Sequence, residues 1–204
     1  GGRGNRDPRV RAAATWSPDS KAFSITRQDQ RKVKELYLVN VLSEPRPTLS
    51  SYTYSMPGED NVGQAELYVW KKGNPSLTPV NVKKWRDQRL TNIHWTVGSD
   101  HLRMVRRDRP QRHYELCAMN IHTGDIKVLI AEGFENANLP VAAPRYLDET
   151  NEMIWWSERS GWGHFYLYDR NGGLKNAITS GQYRASRIVD IDRVVVIRQH
   201  DSRA

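Results

Sequence analysis

The sequence predicts an all-β fold: a partial β-propeller of about three four-stranded antiparallel blades, followed by the start of another. Three observations predict it. Three segments repeat one order of aromatic residue, polar turn, apolar strand, charged cluster and aromatic-rich strand. Turn-forming Gly, Asn and Asp residues separate the strands. Few stretches place apolar residues at the i, i+3, i+4 and i+7 spacing of a helix.

The first unit begins at Trp16. A polar turn follows at 17–21, then an apolar strand, a charged cluster at 27–29, and an aromatic-rich strand at 35–40 that ends in Asn40. Asn favours such an end because its side chain bonds to nearby backbone N–H groups.

The second and third units repeat this order and add a fourth strand. The second runs from His94 to Asn120 and continues after Gly124 into 126–130, and the third runs from Arg145 and continues after Gly172 into 174–179. From Trp95 to Tyr146 the repeat is about 51 residues, at the long end for propeller blades. A β-sandwich has similar turn spacing, but the shared register favours the propeller.

Residues 43–89 do not fit the blade pattern cleanly, because five prolines interrupt them. Strand candidates lie at 49–54, 65–70 and 79–82. The simplest interpretation is a first blade stretched by insertions, with 65–70 as its outer strand or as part of an added hairpin.

The predicted organisation is a disordered or tag-like segment at 1–14 and a partial propeller at 15–204. The blades are expected at about 15–89, 90–131 and 141–180, and the next begins at 183–199 with strands at 187–191 and 194–197. Because a closed propeller needs at least four blades, we expect this chain to be a segment of a larger protein.

Composition excludes several classes of protein. The chain has 204 residues, 31 Lys and Arg against 23 Asp and Glu, and a net charge of +8. No run approaches the ~18 apolar residues of a membrane-spanning helix. Cys117 is the one cysteine, which excludes a disulfide scaffold. Seven Trp, nine Tyr and three Phe argue against wholesale disorder.

The basic excess raises the question of a nucleic-acid partner. Strand alternation puts Arg103 and Arg107 on one face and Arg106 on the other, which splits the densest basic cluster. No known nucleic-acid-binding pattern accompanies it. We therefore expect no nucleic-acid partner. The cluster is Arg103, Arg106, Arg107, Arg109 and Arg112.

The six histidines lack the spacing of a metal site, with no C-x-x-C or H-E-x-x-H pattern. No metal and no cofactor are expected. His164 is predicted to make a structural hydrogen bond across its blade. Glu158 and Arg159 are predicted to form an ion pair within one blade.

Four motifs resemble the dipeptidyl peptidase IV family of the prolyl oligopeptidase clan, in that family's order. Residues 16–21 (WSPDSK) with 27–30 (RQDQ) resemble "WSPDSxxxxxxRxDQ", and 54–58 (YSMPG) lie where the family carries "YPxxG". Residues 155–169 (WWSERSGWGHFYLYD) resemble "SERDGWxHLYLYD", and 174–181 (LKNAITSG) resemble "GxLxxxITxGxW", with Tyr183 near the usual Trp. The similarity runs from about 15 to 192. The motif residues with an expected structural role are Trp16, Asp19, Arg27, Asp29, Trp156, Glu158, Arg159, Trp162, His164, Tyr166, Tyr168 and Asp169.

The resemblance implies a serine exopeptidase with an N-terminal propeller and a C-terminal α/β-hydrolase domain. The propeller would narrow the access of a peptide substrate to the cleft, and a Glu pair would bind the substrate's amino terminus. Dipeptides or tripeptides would be released after Pro or Ala. A periplasmic or extracellular location and a homodimer are also implied.

The chain departs from this pattern in two respects. No Ser has Gly two residues before and two after it, so the nucleophile elbow is missing, no catalytic residue is assigned, and no peptidase activity is expected of the chain alone. The family's Glu pair lies shortly before the WSPD segment, whereas residues 1–14 contain no Glu.

One loop is a candidate for substrate contact by its place in the family. It spans 133–140, and its candidate residues are Phe134, Glu135, Asn136 and Asn138. The alternative is a solvated loop between blades.

Two hypotheses for function remain. The first is a non-catalytic propeller region that shapes substrate access to a hydrolase domain. The second is a stand-alone propeller-type module that binds protein or peptide. In either case an open ring exposes strand edges, which favour association between copies.

Overall fold

The computed structural model describes residues 13–135 and 142–191. Regular structure in these residues consists of strands, and no helix there could cross a membrane. The strands are β1 (Ala14–Trp16), β2 (Ala22–Asp29), β3 (Glu35–Asn40), β4 (Thr48–Thr53), β5 (Gln64–Lys71), β6 (Thr78–Val80), β7 (Gln88–Trp95), β8 (His101–Asp108), β9 (His113–Asn120), β10 (Ile126–Gly133), β11 (Arg145–Leu147), β12 (Glu152–Ser157), β13 (His164–Tyr168) and β14 (Leu174–Ala177).

These strands form three four-stranded antiparallel sheets and one hairpin. The first sheet has the order β1-β2-β5-β6, the second β7-β8-β9-β10, and the third β11-β12-β13-β14, while β3 pairs with β4. Four-stranded antiparallel sheets in up-and-down order are typical of propeller blades, and the first sheet keeps this order with the β3–β4 hairpin inserted between β2 and β5. The predicted all-β, partial-propeller fold is confirmed.

The repeat in the sequence is also a repeat in the backbone. In the turn between the first two strands of each sheet, Ser20, Ser99 and Asn151 have φ values of 57°, 58° and 57°. Residues other than Gly seldom adopt this left-handed conformation, and Asn and Asp adopt it more readily than most. In the turn between the last two strands a glycine has positive φ in every sheet: Gly73, Gly124 and Gly172.

The first sheet differs from the sequence alignment in its third strand. The alignment placed 35–40 there, but β2 pairs with β5, with Phe23 opposite Trp70. The strand β3 pairs with β4 instead, with Val39 opposite Leu49. The physical reason is burial: β5 buries Leu67 and Val69 against the second sheet, whereas β3 and β4 are largely exposed.

The chain after β14 also differs from expectation. Residues 187–191, predicted as a strand, have no strand partner in the described residues, and Ile188 and Ile191 pack instead on the far face of the third sheet. The predicted strand 194–197 lies outside the described residues. So does most of the segment 1–14, although Ala14 already belongs to β1.

Two apolar layers hold the three sheets together. Even-numbered residues of β8 face the first sheet and Val105 faces the third, as strand alternation requires. The layer between the first and second sheets includes Leu67, Val69, Trp95, Leu102, Met104, Cys117 and Met119. The layer between the second and third includes Val105, Tyr114, Leu116, Ile130, Met153, Trp155, Tyr166 and Tyr168.

Candidate functional site

The described part of the predicted substrate-proximal loop, 133–135, lies at one end of the three sheets, which we call the loop face. It is the end at which β2, β8 and β12 finish, and it carries the turn from Asp108 to His113 and the turn from Ser157 to His164. Loops that a rigid β scaffold positions in this way commonly carry binding functions. The loop face is therefore the first place to look for a site.

A cavity of about 730 Å³ opens on the loop face between the first and second sheets. Its volume is in the range of small-molecule and peptide sites. Its lining is polar and contains more positive than negative side chains. The charged lining residues are Arg27, Arg89, Arg107, Arg109, Asp87 and Asp108.

Arg109 fastens the wall of this cavity. Its Nη1 lies 2.8 Å from Asp87 Oδ2, and its Nη2 donates to the carbonyl oxygens of Ser55 (2.9 Å) and Met56 (3.3 Å). One side chain thus joins the insertion after β4, the segment before β7 and the turn after β8. Its planar fork allows such multiple bonding.

Asp108 shapes the turn beside it. Its Oδ1 accepts hydrogen bonds from the N–H groups of Arg112 (2.9 Å) and His113 (3.0 Å), and its Oδ2 lies 3.0 Å from His113 Nδ1. Burial by itself would raise the pKa of Asp108, but these hydrogen bonds outweigh it and the pKa lies below its ordinary value. The carboxylate therefore stays ionised and holds the His113 ring in place.

Of the predicted substrate-proximal residues, two lie in the described chain. Phe134 is 42% exposed and its N–H donates to the Arg112 carbonyl at 3.0 Å. Glu135 has an 84% exposed side chain, 3.7 Å from His113 Nε2. Asn136 and Asn138 lie outside the described residues. Phe134 and Glu135 thus stand on the loop face beside the Asp108 turn.

The predicted ion pair between Glu158 and Arg159 is wrong. Arg159 Nη2 instead bonds Glu132 Oε1 at 2.6 Å, across the junction from the third sheet to the second. Glu158 lies in the turn, where its carbonyl accepts from the Gly161 N–H at 2.9 Å. The reason is the partner that packing supplies: the Arg159 guanidinium reaches the buried Glu132 carboxylate of β10 in the neighbouring sheet.

Glu132 is the centre of this junction. Besides Arg159, its carboxylate accepts from Trp155 Nε1 (3.0 Å) and from the Tyr114 hydroxyl (3.0 Å), and its side chain is only 8% exposed. Burial, with Glu132 as a neighbour, raises the pKa of Tyr114 well above its ordinary range. A buried carboxylate with three donors is a stable arrangement, because its desolvation is compensated by hydrogen bonds.

The aromatic residues of the third-sheet motif surround Arg159. Its guanidinium lies 4.6 Å from the ring centre of Tyr166 and 5.6 Å from that of Tyr168. The Tyr166 hydroxyl bonds Ser160 Oγ at 3.3 Å. Trp162 is exposed in the same turn. These cation–π contacts hold the guanidinium over the sheet while it reaches Glu132.

His164 makes the structural hydrogen bonds expected of it. The buried ring lies 3.1 Å from Thr179 Oγ1 through Nδ1 and 2.9 Å from the Gly181 carbonyl through Nε2. Trp156 acts alongside it, since its Nε1 donates to the Ala185 carbonyl at 2.7 Å. Together they fix the chain that follows β14 against the third sheet.

Two motif carboxylates close turns: Asp19 between the first two strands of the first sheet, and Asp169 between the last two strands of the third. Asp19 Oδ1 accepts from the Lys21 N–H at 3.0 Å, and Asp169 Oδ1 accepts from the N–H groups of Asn171 (2.7 Å) and Gly173 (2.9 Å). Such local bonds are the usual role of Asp at the start of a turn.

The other motif residues of the first sheet lie on its surface. Trp16 is about half exposed, Arg27 Nε bonds Glu66 at 2.6 Å, and Asp29 accepts two bonds from the Arg31 guanidinium at 2.7 and 2.8 Å. The Arg31 hydrogen bonds hold the pKa of Asp29 well below its usual range. Arg27 reaches the rim of the cavity, so its charge is partly balanced there by Glu66.

The comparisons with known proteins agree with this geometry. The sequence profile described as "Dipeptidyl peptidase IV (DPP IV) N-terminal region" matches residues 9–195. The chain belongs to the dipeptidyl peptidase IV family.

Individual relatives of this dipeptidyl peptidase IV N-terminal region are distant. The "Probable dipeptidyl peptidase 4" of Aspergillus fumigatus is 21% identical over 196 residues, which is 90% of this chain and 26% of the relative. The crystal structure of Porphyromonas gingivalis dipeptidyl peptidase 4 has a TM-score of 0.76 at 20% identity and covers 88% of this chain and 26% of its own. A Bacteroides ovatus structure named as a dipeptidyl aminopeptidase IV has a TM-score of 0.64 at 26% identity, covering 78% and 23%. The chain thus spans about a quarter of the length of these relatives.

Two features of this dipeptidyl peptidase IV region were missed at the level of sequence. One is Glu132, and the other is the buried pair of Arg106 Nη2 with Glu115 Oε2 at 2.7 Å, which Lys84 also contacts. The second pair has a local signal, because Arg106 and Glu115 lie directly opposite each other in the adjacent strands β8 and β9. Nothing in the sequence connects Glu132 to Arg159, because they belong to different sheets.

A metal site would need several His, Cys, Asp or Glu side chains close together. No group of three or more His, Cys, Asp or Glu side chains is placed to hold a metal ion in residues 13–135 and 142–191. On the loop face, Arg109, Asp108 and Arg159 make ion pairs or turn hydrogen bonds that position the backbone.

Proposed function

We propose that this region of the dipeptidyl peptidase IV family has no catalysis of its own and shapes the access of peptide substrates to a hydrolase domain. The observation that carries the proposal is the cavity of about 730 Å³ on the loop face, one wall of which is an insertion that Arg109 fastens. Because the wall is joined to the sheets by side-chain bonds, it can restrict the size of an entering peptide.

The absence of catalysis is supported by the Asp108–His113 pair. An Asp hydrogen-bonded to a His supplies two of the three side chains of a serine-hydrolase triad. However, His113 Nε2 faces Glu135 at 3.7 Å, where a triad would have a serine hydroxyl. The pair therefore supports a role in turn structure.

The experiment compares short and long substrates. We would express the polypeptide that joins this region to a hydrolase domain and measure kcat and KM for a dipeptidyl chromogenic amide and for a longer peptide. Arg109→Gln should loosen the wall and lower KM for the long peptide with little change for the amide. Lys72→Gln, an exposed change in the turn after β5, is the matched control.

Two results would contradict the proposal. One is equal change for both substrates in Arg109→Gln. The other is hydrolysis of the amide by the 204-residue chain alone, at a rate above that of a heat-denatured sample.

The alternative, a stand-alone module that binds protein or peptide, rests on the same cavity. It predicts that the chain alone binds peptides with measurable affinity and that no hydrolase partner is required. Titration of the intrinsic Trp fluorescence with a peptide mixture separates the two, since an access-shaping wall has no need of tight binding.

We also propose a homodimer, for which the β3–β4 hairpin provides the surface. Tyr37, Val39 and Leu49 lie on one face of this hairpin and are each more than 60% exposed. The hairpin pairs only within itself in the described chain, so its outer strand edges are available. Pairing of such an edge with the same edge of a second copy satisfies two-fold symmetry.

The dimer is tested by analytical ultracentrifugation across a range of concentrations. Val39→Lys places a charge on the apolar face and should shift the protein to monomer, whereas Lys72→Gln should leave the distribution unchanged. A wild-type monomer at all concentrations, or a dimer that Val39→Lys leaves intact, would count against the hairpin.

A further inference from the structure

Arg103 in β8 is a buried cation that forms no ion pair within residues 13–135 and 142–191. The residue is 2% exposed, and its Nη2 donates to the carbonyl oxygens of Asn151 (2.6 Å) and Arg170 (3.5 Å). Its Nε is buried without a hydrogen-bond partner in the described chain. The guanidinium also lies 5.5 Å from the centre of the Tyr146 ring. A buried charge with only neutral partners is unfavourable unless something compensates it.

The same strand supplies a contrast. Arg106, also buried, bonds the buried carboxylate of Glu115 at 2.7 Å. The carboxylates nearest to Arg103 are engaged elsewhere: Asp148 bonds His94 at 2.9 Å, and Asp100 bonds Thr96 at 2.8 Å. Of these two buried arginines, Arg106 thus has an ion pair and Arg103 has none within the described residues.

Arg103 also lines a cavity, at the end of the sheets opposite to the loop face. This cavity lies between the second and third sheets and has a volume of about 510 Å³. Its lining includes the exposed cations Lys127 and Arg170, and the carboxylates of Asp100 and Asp125. The cations exceed the carboxylates by one, and the most buried of them is Arg103.

We propose that this cavity binds a small oxyanion, a carboxylate or phosphate group, with Arg103 at its floor and Lys127 and Arg170 at its rim. Burial lowers the pKa of Arg103, which is what a guanidinium without a counter-ion shows. An oxyanion would supply the missing charge and accept charge-assisted hydrogen bonds, which are stronger than neutral ones. This site is independent of the loop face and of the proposed access role.

The test is a titration of the 204-residue chain with sodium phosphate and, separately, sodium acetate, at ionic strength held constant with chloride. Binding is followed by calorimetry and by the melting temperature. We expect a saturable rise in melting temperature with at least one anion. Arg170→Gln should weaken that binding about tenfold, the effect of one charge-assisted bond. Lys83→Gln, an exposed lysine that does not line the cavity, is the control.

The two anion titrations identify the chemical group that the cavity binds. Saturation with phosphate alone indicates a phosphate group, with acetate alone a carboxylate, and with both a general oxyanion site. Arg103→Gln should abolish saturation. Because that variant also loses the bond to Asn151, Lys127→Gln serves as a second variant outside the sheet packing. No saturation with either anion, or saturation that is unchanged in both Arg170→Gln and Lys127→Gln, would overturn the proposal.

Discussion

Replacing Glu132 should loosen the junction between the second and third sheets. In Glu132→Ala the Trp155 Nε1–H and the Tyr114 O–H lose their acceptor, and both residues are 1% exposed. A buried donor left without a partner costs about 1–3 kcal/mol, so two cost roughly 2–6 kcal/mol. The Arg159 pair adds little, because that side chain is about one-third exposed. We expect a loss of about 3–4 kcal/mol in the free energy of unfolding.

The assay is urea unfolding followed by Trp fluorescence and circular dichroism. Glu135→Ala is the matched control: it removes the same side chain three residues along, where 84% of it is exposed. The control should stay within about 0.5 kcal/mol of wild type. If Glu132→Ala differs from Glu135→Ala by less than about 1 kcal/mol, the account of the junction is refuted.

Three further predictions concern backbone space, pH and thiol reactivity. Gly172→Ala should lower the free energy of unfolding in urea by about 2–5 kcal/mol, because a Cβ at this position would lie 2.2 Å from a backbone oxygen of β10. Gly73→Ala is the matched control: Gly73 also has a left-handed φ but open space around it, so this change should cost only about 1–2 kcal/mol. Burial lowers the pKa of His94 below its ordinary 6.5, so the unfolded chain binds a proton at His94 more readily than the folded chain does. The free energy of unfolding should therefore fall as the pH drops from about 7 to about 5. His94→Gln should reduce that fall, and His122→Gln, a change at an exposed histidine, should not. Burial raises the pKa of Cys117 to about 11, so a thiol reagent at about pH 8 should modify it slowly in the folded chain and rapidly in urea; equal rates would contradict its burial.

Much of the fold could be predicted because each blade carries its own local signals. The turns at Ser20, Ser99 and Asn151 follow from short-range turn chemistry, and the strands between them from apolar runs. The third strand of the first sheet could not be predicted in the same way. Two strands, β3 and β5, both follow β2 with suitable residues, and the choice depends on burial against the second sheet, which is not local.

The site was less predictable than the fold for a related reason. The segment with Phe134 could be located by its place in the family, but its surroundings could not: Phe134 lines a cavity together with Arg159 and Tyr168 of the third sheet. Glu132 and Arg159 are 27 residues apart and meet only when the second and third sheets pack. Likewise, Arg103 lacks an ion pair in the described residues because Asp148 bonds His94 and Asp100 bonds Thr96. Pairings between sheets follow from tertiary packing, and a single sequence carries no periodic signal for them.

The central claim is that this propeller region serves a hydrolase domain and does no chemistry itself. Determining the coding sequence that follows Ala204 tests it most directly. The account predicts that the reading frame continues for a few hundred residues and contains a G-x-S-x-G segment between a strand and a helix. A stop codon directly after Ala204 would contradict the account and favour the stand-alone binding module.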